Sequence, residues 1–532
     1  MKNYSKKYFM LAALGLMAVP ALAQETYQDT KLAENQLTGT ARYVGMGGAM
    51  EALGADVSTI STNPAGIGLL HKSQISVSAG VIAQGGADTK FSFDNMSMTL
   101  NKAKQSHPTF DQVGIVWCPS TNRGKTYFNA AFNYHKSADF GQILSAANYL
   151  GNASQNKITA AKYPTVLEIS KDNQDVADAL WTAVDAGYET AFGKSEDGSQ
   201  MNYLNANSFL YGQYQHGYIG QYDFNISGGV NNRFWWGLTV GLHDVHYNSN
   251  SLYSESLENN GAVTSAEQVK IKGTGFDVKG GIIFRPVADS PFRIGAYFNT
   301  PVFYDLTGYY DNYMQVNLND GGDNPNIKPA SADYDFRLNT AWKAGVSLGH
   351  TVGNYLALGA TYEYAWYAHM DSRIKDGGYF DDWYGTYYET SSSDENMNDN
   401  TRNTLKGVST LKVGLEYKPV ANLAVRLGYN YVSPMFDENG YRDQTIYSPG
   451  VAYATSTDYT NWKATNRFTC GVGYNYQNLF IDVAYQYTTQ KGDFYPFMSY
   501  VDGADSKYDC IAPTTEVKHD RHQILMTVGY KF

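Results

Sequence analysis

The side chains of this 532-residue chain that could do chemistry include ten histidines, three cysteines and 51 acidic residues, and their spacing argues against an active centre. His243 and His246 are three apart, which on a strand sends them to opposite faces, so they cannot chelate one metal there. His519 and Arg521 share a face near the outer end of the last strand and are expected as solvated rim residues. The acidic run Asp394 to Asp399 has the composition of a weak calcium loop, but a solvated surface loop is the expectation. No Gly-x-Ser-x-Gly elbow occurs, and the glycines between 45 and 48 lack the strand-to-helix setting of a phosphate loop. Cys118, Cys470 and Cys510 are an odd number far apart and make no disulfide framework. The expectation is a protein that is not an enzyme and carries no metal or cofactor.

The elements that hold these residues follow from composition and pattern. With 43% hydrophobic and 14% aromatic residues, 45 of them tyrosine, the chain has the material for a core and is not disordered. A net charge of -11 excludes broad attraction to nucleic acid. Lys2, Lys6 and Lys7 precede an apolar run from Tyr8 to Val19, and Ala21 and Ala23 supply small residues at a cleavage site. Residues 1–23 therefore read as a secretory signal peptide, with the mature chain beginning at Gln24. The run is shorter than the ~20 residues of a membrane anchor, and no cysteine follows Ala23 to take a lipid. Cleavage removes three lysines and no acids, taking the net charge from -11 to -14.

Beyond Val19 no run of 18 apolar residues occurs, and alternation takes its place. Leu356, Leu358, Ala360, Tyr362, Tyr364 and Trp366 alternate with smaller or polar residues, as do Leu411 to Tyr417 and Leu423 to Tyr431. Each such segment has one apolar face and one face of small or polar residues. The latter carries charges of both signs, among them Asp223, Asp277, Lys279, Arg285, Arg293, Lys343, Glu363, Lys412, Glu416, Arg426, Arg467 and Asp482. A soluble sandwich would turn those charges outward. The segment lengths, about 11 to 20 residues, and the aromatics near the ends of the apolar faces fit a transmembrane antiparallel β-barrel better.

Fourteen strands are expected, near 73–93, 109–118, 125–137, 219–230, 234–247, 266–286, 291–307, 332–350, 355–370, 404–418, 422–434, 465–476, 479–490 and 518–532. Short connections rich in Asn, Gly, Pro and Ser alternate with long ones, including 138–218, 371–403 and 435–464. This is the pattern of an all-β outer-membrane barrel of a Gram-negative cell, with both ends of the barrel on the periplasmic side. Two parts fall outside the strands. Residues 24–72, rich in Gly and Ala, are expected to plug the periplasmic side of the lumen, which fourteen strands leave wider than their own side chains can fill. The 138–218 insertion shows helical spacing at Ile143, Leu144, Ala147 and Leu150, and again at Val176, Leu180, Trp181 and Val184, and is expected as a helical extracellular cap to the 73–532 barrel.

The segments Gly45-Met46-Gly47-Gly48-Ala49, Ala55-Asp56-Val57-Ser58-Thr59 and Thr62-Asn63-Pro64-Ala65-Gly66-Ile67-Gly68 resemble the plug of the FadL/TodX family of outer-membrane transporters for long-chain fatty acids and other hydrophobic compounds. The resemblance runs on through Gly275 to Phe284 and Arg293 to Tyr297. It implies passive uptake of small hydrophobic molecules, with the substrate leaving sideways through a gap in the wall beside the plug; alternation gives no position for that gap. Some relatives are labelled hemin receptors, so a porphyrin is a further ligand class, and capture of secreted partner proteins is the alternative role. Asn63, Pro64, Ala65 and Gly66 are the expected plug and gating motif, a rigid turn that approaches the wall closely. Leu144, Leu150, Leu180, Trp181 and Val184 are the expected docking residues for a hydrophobic ligand. The last strand ends with Val528, Tyr530 and Phe532 on one face, which resembles the terminal signal read by the barrel-assembly machinery. The expected partners are thus a hydrophobic small molecule, outer-membrane lipid and that machinery, and no nucleic acid.

Overall fold

The computed structural model describes residues 25–119, 126–319, 321, 324–446, 456–501 and 506–532, so the expected signal peptide lies outside the described residues. Among the described residues fourteen antiparallel strands form the wall: β1 Gln74–Gly85, β2 Ser106–Trp117, β3 in two pieces (Thr126–Asp139 and Gln142–Tyr149), β4 Ala206–Val230, β5 Phe234–Leu257 and β6 Ala262–Phe284. Next come β7 (Arg293–Asn299 and Phe303–Asn317), β8 (Ala330–Asn339 and Lys343–Val352), β9 (Leu356–Ala365 and Asp371–Asp381) and β10 (Thr386–Ser393 and Val408–Val420). The last four are β11 Leu423–Val432, β12 Tyr459–Tyr476, β13 Leu479–Tyr495 and β14 Thr515–Lys531. Each strand pairs with the next, and β1 pairs with β14 from Gln74↔Lys531 to Gly85↔Asp520, which closes the barrel and removes any free edge.

The alternation read from the sequence sets the two faces. On β5, Phe234, Trp236, Leu238, Val240 and Leu242 are exposed on the outer wall, while Trp235, Thr239 and His243 are buried. That belt covers about nine residues, the length of a tilted transmembrane strand. It continues around the barrel through Ile294 and Phe298, Val346 and Leu348, Leu411 and Val413, and Ile524, Met526, Val528, Tyr530 and Phe532. So large an exposed apolar surface is stable only against lipid, and the barrel crosses a membrane. On the inner face Asp223, Asp277, Lys279, Glu363, Lys412, Glu416, Arg426, Arg467 and Asp482 are buried.

Three expectations are corrected. The 138–218 insertion is helical only in its middle, and its two ends are wall: Leu144 lies in the second piece of β3, and residues from Ala206 onward extend β4. The spacing at Ile143, Leu144, Ala147 and Leu150 suits a helix equally well, but pairing Gln142–Tyr149 against Ser208–Gln215 satisfies the backbone of a wall that continues past the membrane. Between those ends lie three helices, α3 Gln155–Asp172, α4 Gln174–Leu180 and α5 Ala183–Phe192; α1 is Thr26–Ala33 and α2 Ala41–Gly45. Second, the acidic run at 394–399 is no loop; it starts helix α6, Glu395–Thr404, set into the interruption of β10 with Met397 and Asn398 buried. Third, His519 and Arg521 face inward rather than a solvated rim, His519 against Trp462 and Arg521 against Gln36 and Asp139. The first strand also stops at Gly85, and residues 90–99 form a separate hairpin, Lys90–Phe93 with Met96–Thr99.

Candidate functional site

Residues 25–72 run through the barrel interior from the outer half, where α1 packs against α6, to the short-turn end, where Phe532 N donates to Ser73 O at 2.9 Å. Inward-facing wall residues hold the segment at every level. Glu51, fully buried, accepts from Lys412 Nζ (2.7 Å), Thr361 Oγ1 (2.7 Å) and the Tyr43 hydroxyl (3.1 Å). Arg42 meets Glu416 at 3.0 Å, and Glu416 and Asp482 share Arg426 at 2.7 and 2.6 Å. Ser61 donates to Asp223 at 2.7 Å; Lys279 bridges Asp223 and Asp277, with His135 and His243 behind them. Charges of both signs inside a low-dielectric barrel are held by such close pairing with carboxylates and hydroxyls.

The motif residues lie at the heart of this seat. Asn63 caps the 3-10 turn Pro64–Leu69: its Oδ1 accepts from Ala65 N at 3.2 Å, and its Nδ2 donates to Glu51 O (3.1 Å) and to Ile282 O of β6 (3.2 Å). The wall opposite has no side chains, because a Cβ at Gly237 would strike Pro64 and one at Gly281 would strike Asn63. Glycine is needed at these two positions for close approach, the same role the motif's own glycines were expected to play. Tyr127 and Asn129 of β3 close the seat by donating to the carbonyls of Gly68 (3.0 Å) and Ile67 (2.9 Å).

The β2–β3 ladder is incomplete. It pairs Trp117↔Ala130 through Gln112↔His135 and then lapses, although β2 continues to Ser106 and β3 to Asp139. A bulge between Lys136 and Ala138 turns β3 away. Side chains seal the break. Asp139 takes His107 (3.1 Å), Lys136 (3.1 Å) and Arg521 (3.7 Å), and Lys136 Nζ donates to Thr109 Oγ1 at 2.6 Å. From inside, Gln36 donates to Asp139 O (3.1 Å) and accepts from Asp139 N (3.0 Å), doing the work of the missing strand. The outer rim of the break is aromatic, with Phe110, Tyr134 and Tyr222 in contact at 5.0 to 6.0 Å between ring centres.

Two cavities flank the N-terminal segment. One of about 150 Å³ lies at the break and is polar, lined by Gln36, His135, Ser137, His243, Lys343 and Arg467 among others. The other, about 90 Å³, lies further out; the rings of Tyr27, Tyr247, Tyr310, Phe436, Tyr459 and Trp462 share its wall with Gln28, Lys31, Gln142, Gln213, Gln215 and Glu267, and Arg442 faces Glu25 and Asp458 there. Of the expected docking residues only Leu144 lines this aromatic cavity. Leu150, just past β3, and Val184, on α5, are buried in the outer core, and Leu180 and Trp181 sit half-buried on the cap, Trp181 edge-on to Tyr163 at 5.7 Å. Val528, Tyr530 and Phe532 are brought together on the lipid-facing side. The cavity aromatics and the Gln36–Asp139 seal escaped sequence reasoning, because Tyr27, Phe436 and Gln36 come from non-strand segments whose positions no periodicity sets.

No family model matches the chain, and no curated protein matches it. Among solved structures it is similar to a Pseudomonas aeruginosa FadL homologue, at 14% identity and a TM-score of 0.49 over 94% of this chain and 99% of that chain. It is also similar to the Ralstonia pickettii toluene transporter TbuX (13%, 0.46, 93% and 99%) and the Pseudomonas putida toluene transporter TodX (12%, 0.47, 94% and 100%). At these scores the likeness bears on neither substrate nor site. The class is defined by the molecule's own geometry: an even-stranded antiparallel barrel with an apolar outer belt, a charged lumen and both barrel ends on the short-turn side is a Gram-negative outer-membrane barrel.

Proposed function

We propose that this barrel is a passive channel for small hydrophobic molecules, which enter from outside past the aromatic cavity and leave sideways through the β2–β3 break, residues 25–72 acting as the plug that blocks an aqueous path. The observation that carries this reading is the lapsed ladder at Gln112 and His135 beside Gln36. A break that opens when its side-chain seal parts serves a molecule that partitions into lipid and is useless to a polar solute, and the rings of Phe110, Tyr134 and Tyr222 give it an apolar exit. The six aromatic rings of the outer cavity support a compact ligand with an apolar face, set beside polar groups such as Gln28 and Arg442; long-chain fatty acids are one candidate class, threading the same route as extended chains. No observation favours the porphyrin or the secreted-partner reading.

Stapling the break tests this. In a background with Cys118, Cys470 and Cys510 replaced by serine, T109C and S137C would be joined with a cleavable bismaleimide, and uptake of N-phenylnaphthylamine into proteoliposomes followed by fluorescence. The stapled barrel should lose uptake and regain it on cleavage. Equal uptake with the staple closed would overturn the lateral route.

A further inference from the structure

Three arginines stand in one row at the short-turn end of the wall. Phe234 pairs with Phe284 and Phe284 with Ile294, joining β5, β6 and β7, and the next residue toward the periplasm is Arg233, Arg285 and Arg293 in turn. Arg285 N donates to Arg233 O at 2.8 Å, which carries the pairing one step past Phe234 and Phe284. Neighbouring strands lie about 4.8 Å apart, so three like charges are set side by side where the wall ends, an arrangement that destabilises a sheet unless something neutralises it.

No carboxylate answers them. Among the described residues none of the three arginines forms an ion pair, and Gly349 of β8 faces Arg293 across the ladder. The two rows further in, from Phe234 to Leu348 and from Trp235 to Ser347, hold no charged residue. The six short turns together contain a single acid, Asp289, which is exposed and unpaired among the described residues. One aspartate against three arginines leaves a surplus of positive charge at this edge.

The guanidiniums are also short of acceptors. Arg233 donates to the carbonyls of Arg285 and Pro286, and Arg293 donates to Leu53 O at 2.8 Å with the Trp235 ring 5.7 Å away. The Nε atoms of both Arg285 and Arg293 are buried without a hydrogen-bond partner, and a buried donor left unmade is costly. Two such donors on neighbouring like charges call for an anion. The level of the row says which kind. Arg233, Arg285 and Arg293 are next in sequence to Phe234, Phe284 and Ile294, which are exposed on the outer wall and end its apolar belt, and Arg233 lies over the Phe284 ring at 5.9 Å. Cations directly below the belt at the periplasmic end stand among the headgroups of the inner leaflet.

We propose that this arginine row seats the phosphate of an inner-leaflet phospholipid, whose acyl chains lie on Phe234, Phe284 and Ile294. Guanidinium forks bind phosphate oxygens two at a time, and the phosphate supplies the acceptors that Arg285 and Arg293 lack. Continuity with the lipid-facing belt selects a lipid over a soluble anion. The test uses full-length protein in detergent, with native mass spectrometry against phosphatidylglycerol, diacylglycerol of the same acyl chains, and inorganic phosphate. The parent should retain phosphatidylglycerol and release diacylglycerol. R233Q/R285Q, which leaves the Arg293 bond to Leu53 in place, should hold phosphatidylglycerol about tenfold or more weakly. K72Q/K531Q removes the same charge from the same end of the barrel outside the row, and should bind as the parent does. Heat-modifiable migration checks that each variant is folded, and R285Q alone, which breaks no side-chain hydrogen bond of the turn, provides a second variant. Equal retention of the two lipids, equal binding by parent and folded R233Q/R285Q, an equal loss in K72Q/K531Q, or displacement by inorganic phosphate alone would each overturn the proposal.

Discussion

Replacing Asn63 with alanine should unseat the N-terminal segment without opening the barrel. The amide makes three hydrogen bonds in a fully buried site, to the Glu51 and Ile282 carbonyls and from the Ala65 N–H. Alanine keeps the backbone path but leaves these groups without that partner, and no water has access to replace it. A buried group left unsatisfied costs about 1–3 kcal/mol, so the sum after relaxation is about 2–5 kcal/mol. Local opening would become roughly 30-fold to a few thousandfold more frequent. The strand ladder needs nothing from Asn63, so the wall should be unchanged. Hydrogen exchange read by mass spectrometry should show faster exchange confined to 25–72, and planar bilayers should show added current noise for small ions. Parent-like exchange across 25–72 would mean that Asn63 is only a turn former, and the seat described above would be wrong.

Further expectations concern other levels of the molecule. Gly359→Val on β9 would drive a side chain into the Ala49 carbonyl, so residues 25–72 should become protease-sensitive while the barrel still runs as a compact band. In the cap, burial pushes the Asp185 carboxyl up, but Lys162 at 2.7 Å and the Thr159 and Thr182 hydroxyls outweigh it and hold it below the ordinary carboxylate range. Its contribution is therefore complete above about pH 4 and is lost only as the pH falls through the lowered folded value. Near-ultraviolet circular dichroism should show the cap intact at pH 4 to 5. Asp185→Asn, which strands a buried Lys162, should loosen the cap at neutral pH by about 3–5 kcal/mol, read as proteolysis within 155–192. Burial pushes the Cys510 thiol up to about 12, so iodoacetamide should leave it unmodified in the folded protein and alkylate it after unfolding.

What the linear pattern determined was the wall. Period-two alternation, as along Phe234 to His243, follows from the opposite directions of successive side chains on a strand, and it is a local property readable without neighbours. The same locality explains why His243 and His246 were correctly separated, and why Val528, Tyr530 and Phe532 could be placed on one face. Leu144 shows the limit: its spacing served helix and strand alike, and only the partner strand offering hydrogen bonds at Gln213 decided between them. The break beside Asp139 was invisible for a related reason. Whether β2 pairs with β3 beyond Gln112 depends on a bulge in one strand and on Gln36, a hundred residues distant in sequence, supplying the missing bonds. The lumen charges could be assigned to the inner face by alternation, but their pairing could not. Lys412 finds Glu51, and Asp482 finds Arg426, only when the closed wall and the N-terminal segment bring distant parts of the chain within about 3 Å, the range over which charge-assisted hydrogen bonds act.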